Sequence, residues 1–371
     1  MTNPIITSMN QHTNYMQQAL LTAEQARYIA PPNPWVGCII VKNNVIIGKG
    51  HTRSPGESHA EICALNEAQQ NANQATMYVT LEPCSHFGRT PPCTASIIKA
   101  GISEIFIAME DPDNKVQGKG IVLLKEAGIK VNVGLCENEA KQNLNSYIHH
   151  RLTGLPYTIL KAGISIDGRT SAENGSSKWI TCKEARQDAH LIRANSQAII
   201  IGSKTAIQDN PALTVRLDNL KLNKQPLRVI LDSKGKVEPT GSLFDTRIAP
   251  TLVITTNLSS KARRDQWMEK GAEVAVLSLS EQGVDLQETW QLLGNRGILQ
   301  ALVEGGSHLQ TELLKTNLVN QLSVYIGPMM LGATGLPLYT DPIPSIDKAL
   351  KLALKSVKQI DDCVRLDYTC R

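Results

Sequence analysis

One histidine and two cysteines with the character of metal ligands occur early in the 371-residue chain. His59 stands two residues before Glu61, and Cys84 and Cys93 follow, each directly after a proline. One imidazole and two thiolates can fill three corners of a tetrahedral zinc site and leave the fourth corner for water. Zinc lowers the pKa of such a water to about 7, so hydroxide becomes available at neutral pH. These residues therefore predict zinc-dependent hydrolytic chemistry.

The order of these residues resembles the signature of zinc deaminases, H-x-E followed by P-C-x-x-C. In that chemistry Glu61 would carry a proton from the water to the departing amine. Eight residues separate Cys84 from Cys93 instead of two, so we expect residues 85–90 to form a loop over the site. Because Cys93 follows two prolines and opens an apolar run, we expect it in a first helical turn, where the positive helix end favours a thiolate.

Two other interpretations of this region are open from the residues alone. A helix over 59–70 with Ser58 as N-cap would place Glu61 at the third helical position, which is the pattern of a capping box. His86 is a candidate fourth zinc ligand, and a fourth protein ligand would make the site closed and structural. Otherwise we expect His86 to face the substrate from its loop.

Longer stretches of the chain resemble one family, the bifunctional deaminase/reductases of riboflavin biosynthesis called RibD. The deaminase half is matched by Asn33-Pro34, Val36-Gly37, HAE (59–61) and TLEPCSHFGRTPPC (80–93). The reductase half is matched by KAGISIDGRTS (161–171), SKWIT (177–181), DNPALTVR (209–216) and VEGGS (303–307). The resemblance runs from about Tyr15 to the end of the chain, and the eight-residue cysteine spacing belongs to the family pattern.

The resemblance implies a fold and two reactions. It implies an α/β protein with a cytidine-deaminase-like three-layer domain at residues 1–152 and a dihydrofolate-reductase-like α/β domain at residues 153–371. The first domain would use one Zn²⁺ to deaminate 2,5-diamino-6-ribosylamino-4(3H)-pyrimidinone 5′-phosphate. The second would use NADPH to reduce the ribosyl group of 5-amino-6-(5-phosphoribosylamino)uracil to ribityl. The family associates through its reductase halves, so a homo-oligomer is expected.

The resemblance also implies site residues beyond the zinc ligands and the catalytic Glu61. The cofactor would be bordered by Gly163, Trp179, Thr181, Thr205, Asp209, Ser233, Gly306, Ser307, His308 and Leu309. The substrate would be bordered by Ser177, Arg193, Leu213, Arg216 and Glu304 in the second half and by Asn33 in the first.

Several of these assignments have a plain structural alternative. Guanidinium groups at Arg193 and Arg216 suit a phosphate, but Arg193 on a helix could equally form a surface salt bridge. Trp179 and Leu213 could fill a core, and Asn33 could be a turn residue.

Some positions near these sites leave other roles open. Lys161 and Asp167 flank the reductase cleft and are candidates for moving protons. The chain has Thr52 where the family has a histidine, and Asp113 where the family has an asparagine.

Composition excludes several partner classes. The formal net charge is +4, aromatic residues make up 4% of the chain and no block of Lys and Arg stands out, so a nucleic-acid-binding platform is disfavoured. The first dozen residues do not have the pattern of a signal peptide, and no apolar run approaches the roughly 18 residues that span a membrane. Eight scattered cysteines do not form a disulfide framework, so we expect a reduced, cytoplasmic protein.

Sequence periodicity predicts the elements that position these residues. We expect residues 1–12 to be disordered, a helix from Tyr15 to Ala30, a hairpin turning at Asn43-Asn44, and then alternating strands and helices with mostly parallel pairing. The last helix of the first domain is expected over 137–151.

The second domain is also expected to alternate strands and helices. Its expected strands include 157–164, 198–202, 227–231, 251–255 and 273–276, and Thr181 is the expected N-cap of a helix over 183–195. The glycines 305–306 between a strand and a helix suit an anion. A G-x-G-x-x-G fingerprint does not occur.

Three other functions compete with this interpretation. A nucleic-acid base deaminase would share the zinc motif, and a binding protein with a structural zinc would need a fourth protein ligand. The second half could also be a folate-type reductase with an unrelated substrate.

Overall fold

The computed structural model describes residues 4–86, 91–114, 116–218, 220, 222 and 224–370, with side chains from residue 10 onward. The chain divides into two units, Met1–Gly154 and Leu155–Arg371. The expected junction after residue 152 lies two residues before this division.

The first unit is built on one five-stranded sheet with the order β2-β1-β3-β4-β5. Its strands are β1 (Gly37–Lys42), β2 (Val45–His51), β3 (Thr76–Val79), β4 (Glu104–Ile107) and β5 (Lys130–Val133). Its helices are α1 (Pro4–Ala23), α2 (Ala60–Ala68), α3 (Cys93–Lys99), α4 (Lys119–Glu126), α5 (Glu137–Asn143) and α6 (Asn145–Thr153).

The pairing of these strands is half antiparallel. β1 pairs antiparallel with both β2 and β3, whereas β3–β4 and β4–β5 are parallel. The hairpin predicted at Asn43-Asn44 is confirmed, because Lys42 pairs with Val45. The expectation of mostly parallel pairing is wrong for this unit, because β1 runs against both of its neighbours.

Two glycines let helices lie directly on the two faces of this sheet. A Cβ at Gly37 would clash with the Ala19 carbonyl in α1, and a Cβ at Gly50 would clash with the Ala60 carbonyl in α2. Gly37 pairs with His51, and successive residues of a strand point to opposite faces, so Gly50 faces the other side of the sheet. The unit therefore has three layers, with α1 on one face and α2 on the other.

The expected helix bounds at both ends of this unit are wrong. α1 begins at Pro4 instead of Tyr15 and ends at Ala23 instead of Ala30, and residues 1–3 of the expected disordered start lie outside the described residues. A tertiary contact stabilises the early turns, because the His12 ring stacks on Phe106 at 4.4 Å between centroids. The helix expected over 137–151 is broken at the buried, non-helical Leu144.

In the part of the chain that the structure describes, the second unit contains five α-helices and most of the strands. The helices are α7 (Lys183–Asn195), α8 (Ser203–Asp209), α9 (Lys261–Glu269), α10 (Leu286–Asn295) and α11 (Ser307–Leu314). The strands are β6 (Tyr157–Ser165), β7 (Arg169–Ser171), β8 (Ala198–Gly202), β9 (Leu227–Leu231), β10 (Thr251–Thr255), β11 (Glu273–Val276), β12 (Leu279–Ser280), β13 (Gly283–Val284), β14 (Gln300–Val303), β15 (Gln321–Gly327), β16 (Leu336–Pro337), β17 (Leu352–Ile360) and β18 (Cys363–Cys370).

Nine of these strands form one sheet in the order β11-β10-β9-β8-β14-β6-β15-β18-β17. All pairings from β11 to β15 are parallel, and β18 and β17 close the sheet with antiparallel pairings. The bounds expected for α7, β8, β9, β10 and β11 are confirmed. Both faces of the sheet are buried, since Ile199 and Ile201 pack in one apolar cluster and Ala198 and Ile200 in another.

Among the helices that the structure describes, none is both long enough and apolar enough to cross a membrane.

Candidate active sites

Three side chains of the first unit converge with the spacing of a zinc site. His59 Nδ1 lies 3.6 Å from Cys84 Sγ and 3.3 Å from Cys93 Sγ. A tetrahedral zinc with bonds of about 2.0–2.1 Å to nitrogen and 2.3 Å to sulfur separates those atoms by roughly 3.5 Å. The arrangement therefore fits Zn²⁺. Among the residues that the structure describes, His59, Cys84 and Cys93 have ligand atoms within 4.8 Å of one another. His86, the candidate fourth ligand, is not part of this group.

Each of the three residues stands next to a regular element. His59 is the N-cap of α2, Cys84 lies in the segment after β3, and Cys93 is the first residue of α3. The Cys93 N–H donates to Cys84 Sγ at 3.3 Å, so the start of α3 holds the other sulfur. The expected position of Cys93 in a first helical turn is confirmed. The expectation of Ser58 as N-cap and of Glu61 in a capping box is wrong, because α2 starts after His59 and has no side-chain cap.

Glu61 lies in the first turn of α2 and is 5% exposed. Burial, and then the neighbouring Cys84 sulfur, raises the pKa of its carboxyl to about 7. A carboxyl with a pKa near neutrality can both accept and release a proton at the working pH. The hydrogen bond with Cys93, and then that with His59, lowers the pKa of Cys84 well below its usual range. The pocket thus stabilises the thiolate that a metal requires.

A cavity of about 390 Å³ opens in front of these residues. Its lining also includes polar residues from five separate segments of this unit, namely Asn33, Thr52, His86, Asp111, Asp113, Tyr147 and Arg151. Asn33 is therefore placed at the same cavity as Glu61, although in sequence it is a turn residue after two prolines. Thr52, which stands where the family has a histidine, has a structural role there, because its hydroxyl accepts the Val36 N–H at 3.1 Å.

The buried carboxylate of Glu82 is a residue of this site that the sequence interpretation did not single out. Its two oxygens accept the N–H groups of Asp111, Gly118, Gly120 and Ile121 at 2.9 to 3.3 Å. These bonds hold the segment that carries Asp111, Asp113 and Val116 against the cavity. Sequence offered one signal, since Glu82 lies two residues before Cys84 in TLEPC, but its partners are 29 to 39 residues away in the chain.

In the second unit most of the expected site residues gather at one edge of the large sheet. Gly163 lies near the carboxyl end of β6, Thr205 follows β8, Ser233 follows β9 and Glu304 follows β14. These four strands are neighbours and parallel, so their carboxyl ends meet at the same edge. Ligands of open α/β sheets bind at this edge.

The glycine turn after β14 is tied to the turn after β8. The Gly306 N–H donates to the Thr205 hydroxyl at 3.2 Å, and the Ser307 hydroxyl lies 3.1 Å from that of Thr170. Ser307 opens α11, and a Cβ at Gly305 would crowd Leu309. His308 is exposed on the same turn. The turn therefore presents backbone N–H groups at a helix start, as the sequence predicts.

Arg193 forms a largely buried ion pair instead of the surface salt bridge that its helix position allowed. Its guanidinium donates to both oxygens of Glu304 at 2.6 and 2.8 Å and to the Thr214 carbonyl at 3.0 Å. The two side chains are 14% and 12% exposed. The pair lowers the pKa of Glu304 to about 2 against the opposing effect of burial. Arg193 thus fixes Glu304 and is only partly available to a phosphate.

Two further cations, Arg216 and Lys161, and the basic side chain of His190 lie near this pair. Burial, and then Arg193, lowers the pKa of both Arg216 and His190, that of His190 to about 4. Burial also lowers the pKa of Lys161. The neighbourhood of Glu304 therefore carries an excess of positive groups, which suits an anionic ligand.

The remaining expected residues differ in exposure. Trp179 is 64% exposed with Arg186 stacked over its ring at 4.2 Å, so the core-filling alternative is wrong for it. Leu213 packs in the core as that alternative expected, with a left-handed φ of 48°.

Other expected residues are already engaged or lie at chain turns. The Ser233 hydroxyl accepts the Val284 N–H at 2.9 Å, Asp209 ends α8, and Ser177 is half-buried. Thr181 lies against Gly163 but is not the N-cap of α7, because Cys182 takes that position.

The Asp167 carboxylate accepts the backbone N–H groups of Leu331 and Gly332 at 3.1 and 2.8 Å. Hydrogen bonds, that from Ser165 first, lower its pKa to about 2. It therefore stays ionised and fixes a loop, which argues against a role in moving protons.

Comparison with known proteins matches both units. Residues 9–109 match the cytidine and deoxycytidylate deaminase zinc-binding region, and residues 156–366 match the RibD C-terminal domain. A riboflavin biosynthesis protein RibD of Chlamydia muridarum is 42% identical over 364 residues, 98% of each chain. One of Escherichia coli is 39% identical over 369 residues, 95% of this chain and 98% of the relative.

Solved structures agree over the whole chain. A RibD of Acinetobacter baumannii superposes with a TM-score of 0.90 at 35% identity, covering 98% of this chain and 100% of that one. A Thermotoga maritima protein described as a diaminohydroxyphosphoribosylaminopyrimidine deaminase and 5-amino-6-(5-phosphoribosylamino)uracil reductase superposes with a TM-score of 0.87 at 29% identity, covering 98% and 100%.

These matches and the geometry of the first unit define a two-domain enzyme in which a zinc-binding deaminase domain precedes a reductase domain. The fold class implied by the resemblance is confirmed. The chain belongs to the RibD family of riboflavin biosynthesis, whose deaminase and reductase it combines in one polypeptide.

Proposed function

We propose that the first unit deaminates 2,5-diamino-6-ribosylamino-4(3H)-pyrimidinone 5′-phosphate with one Zn²⁺ held by His59, Cys84 and Cys93. Zinc bound there supplies a Lewis acid that lowers the pKa of a water ligand. The fit of the three ligand atoms to tetrahedral zinc supports this assignment. The placement of Asn33 on the same cavity supports its role in contacting the substrate.

Glu61 moves the protons of this reaction. Its carboxylate takes a proton from the attacking water and returns a proton to the exocyclic amine, which leaves as ammonia while the ring gains a carbonyl oxygen. Burial beside the ligand group keeps the carboxyl near the reacting atoms and excludes bulk water from the transfer.

The second unit then reduces the ribosyl group of 5-amino-6-(5-phosphoribosylamino)uracil to ribityl. NADPH supplies the hydride when bound, and the chain contributes mainly position. The proposed cofactor contacts are the residues at the carboxyl edge of the sheet and around it, namely Gly163, Trp179, Thr181, Thr205, Asp209, Ser233, Gly306, Ser307, His308 and Leu309. The proposed substrate contacts are Ser177, Arg193, Leu213, Arg216 and Glu304, with Leu213 acting through its backbone because its side chain is buried.

The convergence of His59, Cys84 and Cys93 beside the buried Glu61 carries this proposal. A coupled assay on the zinc-loaded full chain tests it, with the diaminopyrimidine phosphate as substrate and with ammonia release and NADPH consumption followed together. We expect one ammonia and one NADPH per substrate, with ammonia released first. NADPH consumption without ammonia would contradict the order of the two reactions.

Two substrate controls separate the competing functions. Transfer RNA and single-stranded DNA replace the pyrimidine phosphate in the ammonia assay, and dihydrofolate replaces it in the NADPH assay. We expect no turnover with any of them. Ammonia from a nucleic acid would favour a base deaminase, and oxidation of NADPH by dihydrofolate would favour a folate-type reductase.

We propose further that the chain forms a homo-oligomer through its second unit and works in the cytoplasm. β17 is an edge strand of the large sheet, and Leu354 and Val357 on it are 58% and 61% exposed. The open edge of a strand that carries exposed apolar side chains can pair with a second copy. Sedimentation of the full chain, compared with Val357→Lys, tests this assembly, and a wild-type monomer at micromolar concentration would contradict it.

A further inference from the structure

Two cysteines of the second unit lie close together at a place that the proposed reactions do not use. Cys182 is the N-cap of α7, and Cys363 is the first residue of β18. The Cys182 N–H donates to Cys363 Sγ at 3.1 Å, and the ligand atoms of Cys182, Cys363 and Asp362 lie within 4.8 Å of one another. The two thiols are 181 residues apart in the chain, so the fold alone brings them together.

The surroundings give the two sulfurs different characters. Cys182 is half-buried, and its Sγ accepts the Ala185 N–H at 3.4 Å at the positive end of the 13-residue α7. The Cys182 thiol also donates to the Ile360 carbonyl at 3.5 Å, and because it is only half-buried it is the sulfur of the pair that an oxidant from solvent reaches first. Cys363 is fully buried, and its Sγ lies 3.5 Å from Asp362 Oδ1, which can accept its proton.

We propose that Cys182 and Cys363 are a reversible dithiol/disulfide pair that controls the reductase half, with a peroxide as oxidant. The Cys182 thiol gives up its proton and its sulfur attacks one peroxide oxygen, so that an S–O bond forms and the O–O bond breaks. The hydroxide released takes that proton and leaves as water. The Cys363 sulfur then attacks Cys182 Sγ and passes its proton to Asp362, whose Oδ1 lies 3.5 Å away. The S–S bond forms, the S–O bond breaks, and the second hydroxide takes the proton from Asp362 and leaves as water. The two thiols together lose two electrons, and these electrons reduce one peroxide to two waters.

Oxidation changes the start of α7. To bond to Cys363, Cys182 Sγ has to move from its position on the Ala185 N–H, and α7 then loses its side-chain cap. Thr181 precedes this cap and its carbonyl accepts from Arg186 at 2.6 Å, while Arg193 lies further along the same helix. The disulfide itself is independent of the proposed function, but its effect on turnover rests on the proposed roles of Thr181 and Arg193.

The full zinc-loaded chain is treated with hydrogen peroxide and digested without reduction, and the peptides are identified by mass spectrometry. The reductase rate is measured on already deaminated substrate before oxidation, after oxidation and after reduction with a phosphine. We expect a peptide pair joined through Cys182 and Cys363, and a reductase rate at least fivefold lower that returns on reduction.

Two variants control for other cysteines, including the zinc ligands Cys84 and Cys93, which both variants keep. Cys363→Ser removes the buried thiol, and Cys182→Ser keeps a good helix cap and so remains folded even if the first variant does not. We expect neither variant to show the cross-link or the reversible loss. Absence of the Cys182–Cys363 cross-link in the wild-type chain would overturn the proposal, and a cross-link that leaves the reductase rate unchanged would overturn its control of the reductase. If both variants lost the rate like the wild type, other thiols would be responsible.

Discussion

The two units build their sites in different ways. In the first, three ligands come from two short motifs and meet at the starts of two helices. Their spacing in the sequence is therefore enough to predict a zinc site. In the second, the site is the carboxyl edge of four parallel strands with a charge cluster around Glu304, and its members are spread over more than a hundred residues. A metal site can be predicted from the types and spacing of its ligands in the sequence. A site at the carboxyl ends of several strands can be predicted only when the order of the strands in the sheet is known.

Glu61→Ala should separate the two units most sharply. General acid–base catalysis contributes about 10²–10⁴-fold to a rate, so ammonia release should fall by about that factor. NADPH consumption on already deaminated substrate should stay at the wild-type rate. The matched control is Glu126→Ala, which removes an exposed carboxylate of the same unit and should change neither rate. Parallel loss of both activities in folded Glu61→Ala protein would mean that the units do not act separately.

Arg193→Ala tests the charge cluster of the second unit. It leaves Glu304 buried without its partner, and breaking a buried ion pair costs about 3–5 kcal/mol. Chemical denaturation should show that loss in the unfolding of the second unit, with zinc content and ammonia release unchanged. Arg247→Ala is the control, since it removes an exposed guanidinium paired with Asp245, and its denaturation curve should match the wild type. Equal stability of the two variants would show that the buried pair contributes little.

Glu82→Gln tests whether the cavity wall of the first unit needs its buried carboxylate. Hydrogen bonds to a charged group are worth about 1.5–3 kcal/mol, so a partial loss of the four backbone bonds should raise the KM for deamination by about tenfold. The kcat should change less, because Glu61 and the zinc ligands stay in place. A change in kcat alone would place Glu82 with the reacting groups instead of with the wall.

His190 gives the smallest expected effect. Its pKa falls from an ordinary 6.5 to about 4 in the folded chain because of burial and then of Arg193 and Arg216, with Glu304 opposing and Lys161 adding to the shift. Between these two values the unfolded chain binds more protons than the folded one, so stability falls as pH drops from about 6.5 toward 4. In His190→Asn the dependence of the unfolding midpoint on pH should be shallower over that window. An unchanged slope would assign the acid sensitivity to other groups.

Much of the fold follows from local sequence. The strands of the second unit are runs of β-branched and apolar residues, and α7, β8, β9, β10 and β11 have the expected bounds. The two errors in helix bounds share one cause, which is tertiary contact. His12 stacking on Phe106 extends α1 into a polar segment, and buried Leu144 divides a helix whose periodicity is continuous.

The site residues, too, could be predicted only where the local sequence was sufficient. His59, Cys84, Cys93 and Glu61 were predictable because each is a reactive type in a known spacing. Glu82 and the Cys182–Cys363 pair were not, because their partners lie far away in the chain. The sequence offered Arg193 as a candidate phosphate contact, but its ion pair with Glu304 could not be predicted from it.

We propose that His59, Cys84 and Cys93 form one zinc site that serves only the first unit. Metal analysis of purified wild-type, Cys84→Ala and Cys136→Ala chains tests it directly, with the reductase rate measured on each. We expect one zinc per chain in the wild type and in Cys136→Ala, none in Cys84→Ala, and the same reductase rate in all three. Full zinc in Cys84→Ala, or a reductase rate that falls with the metal, would contradict the account.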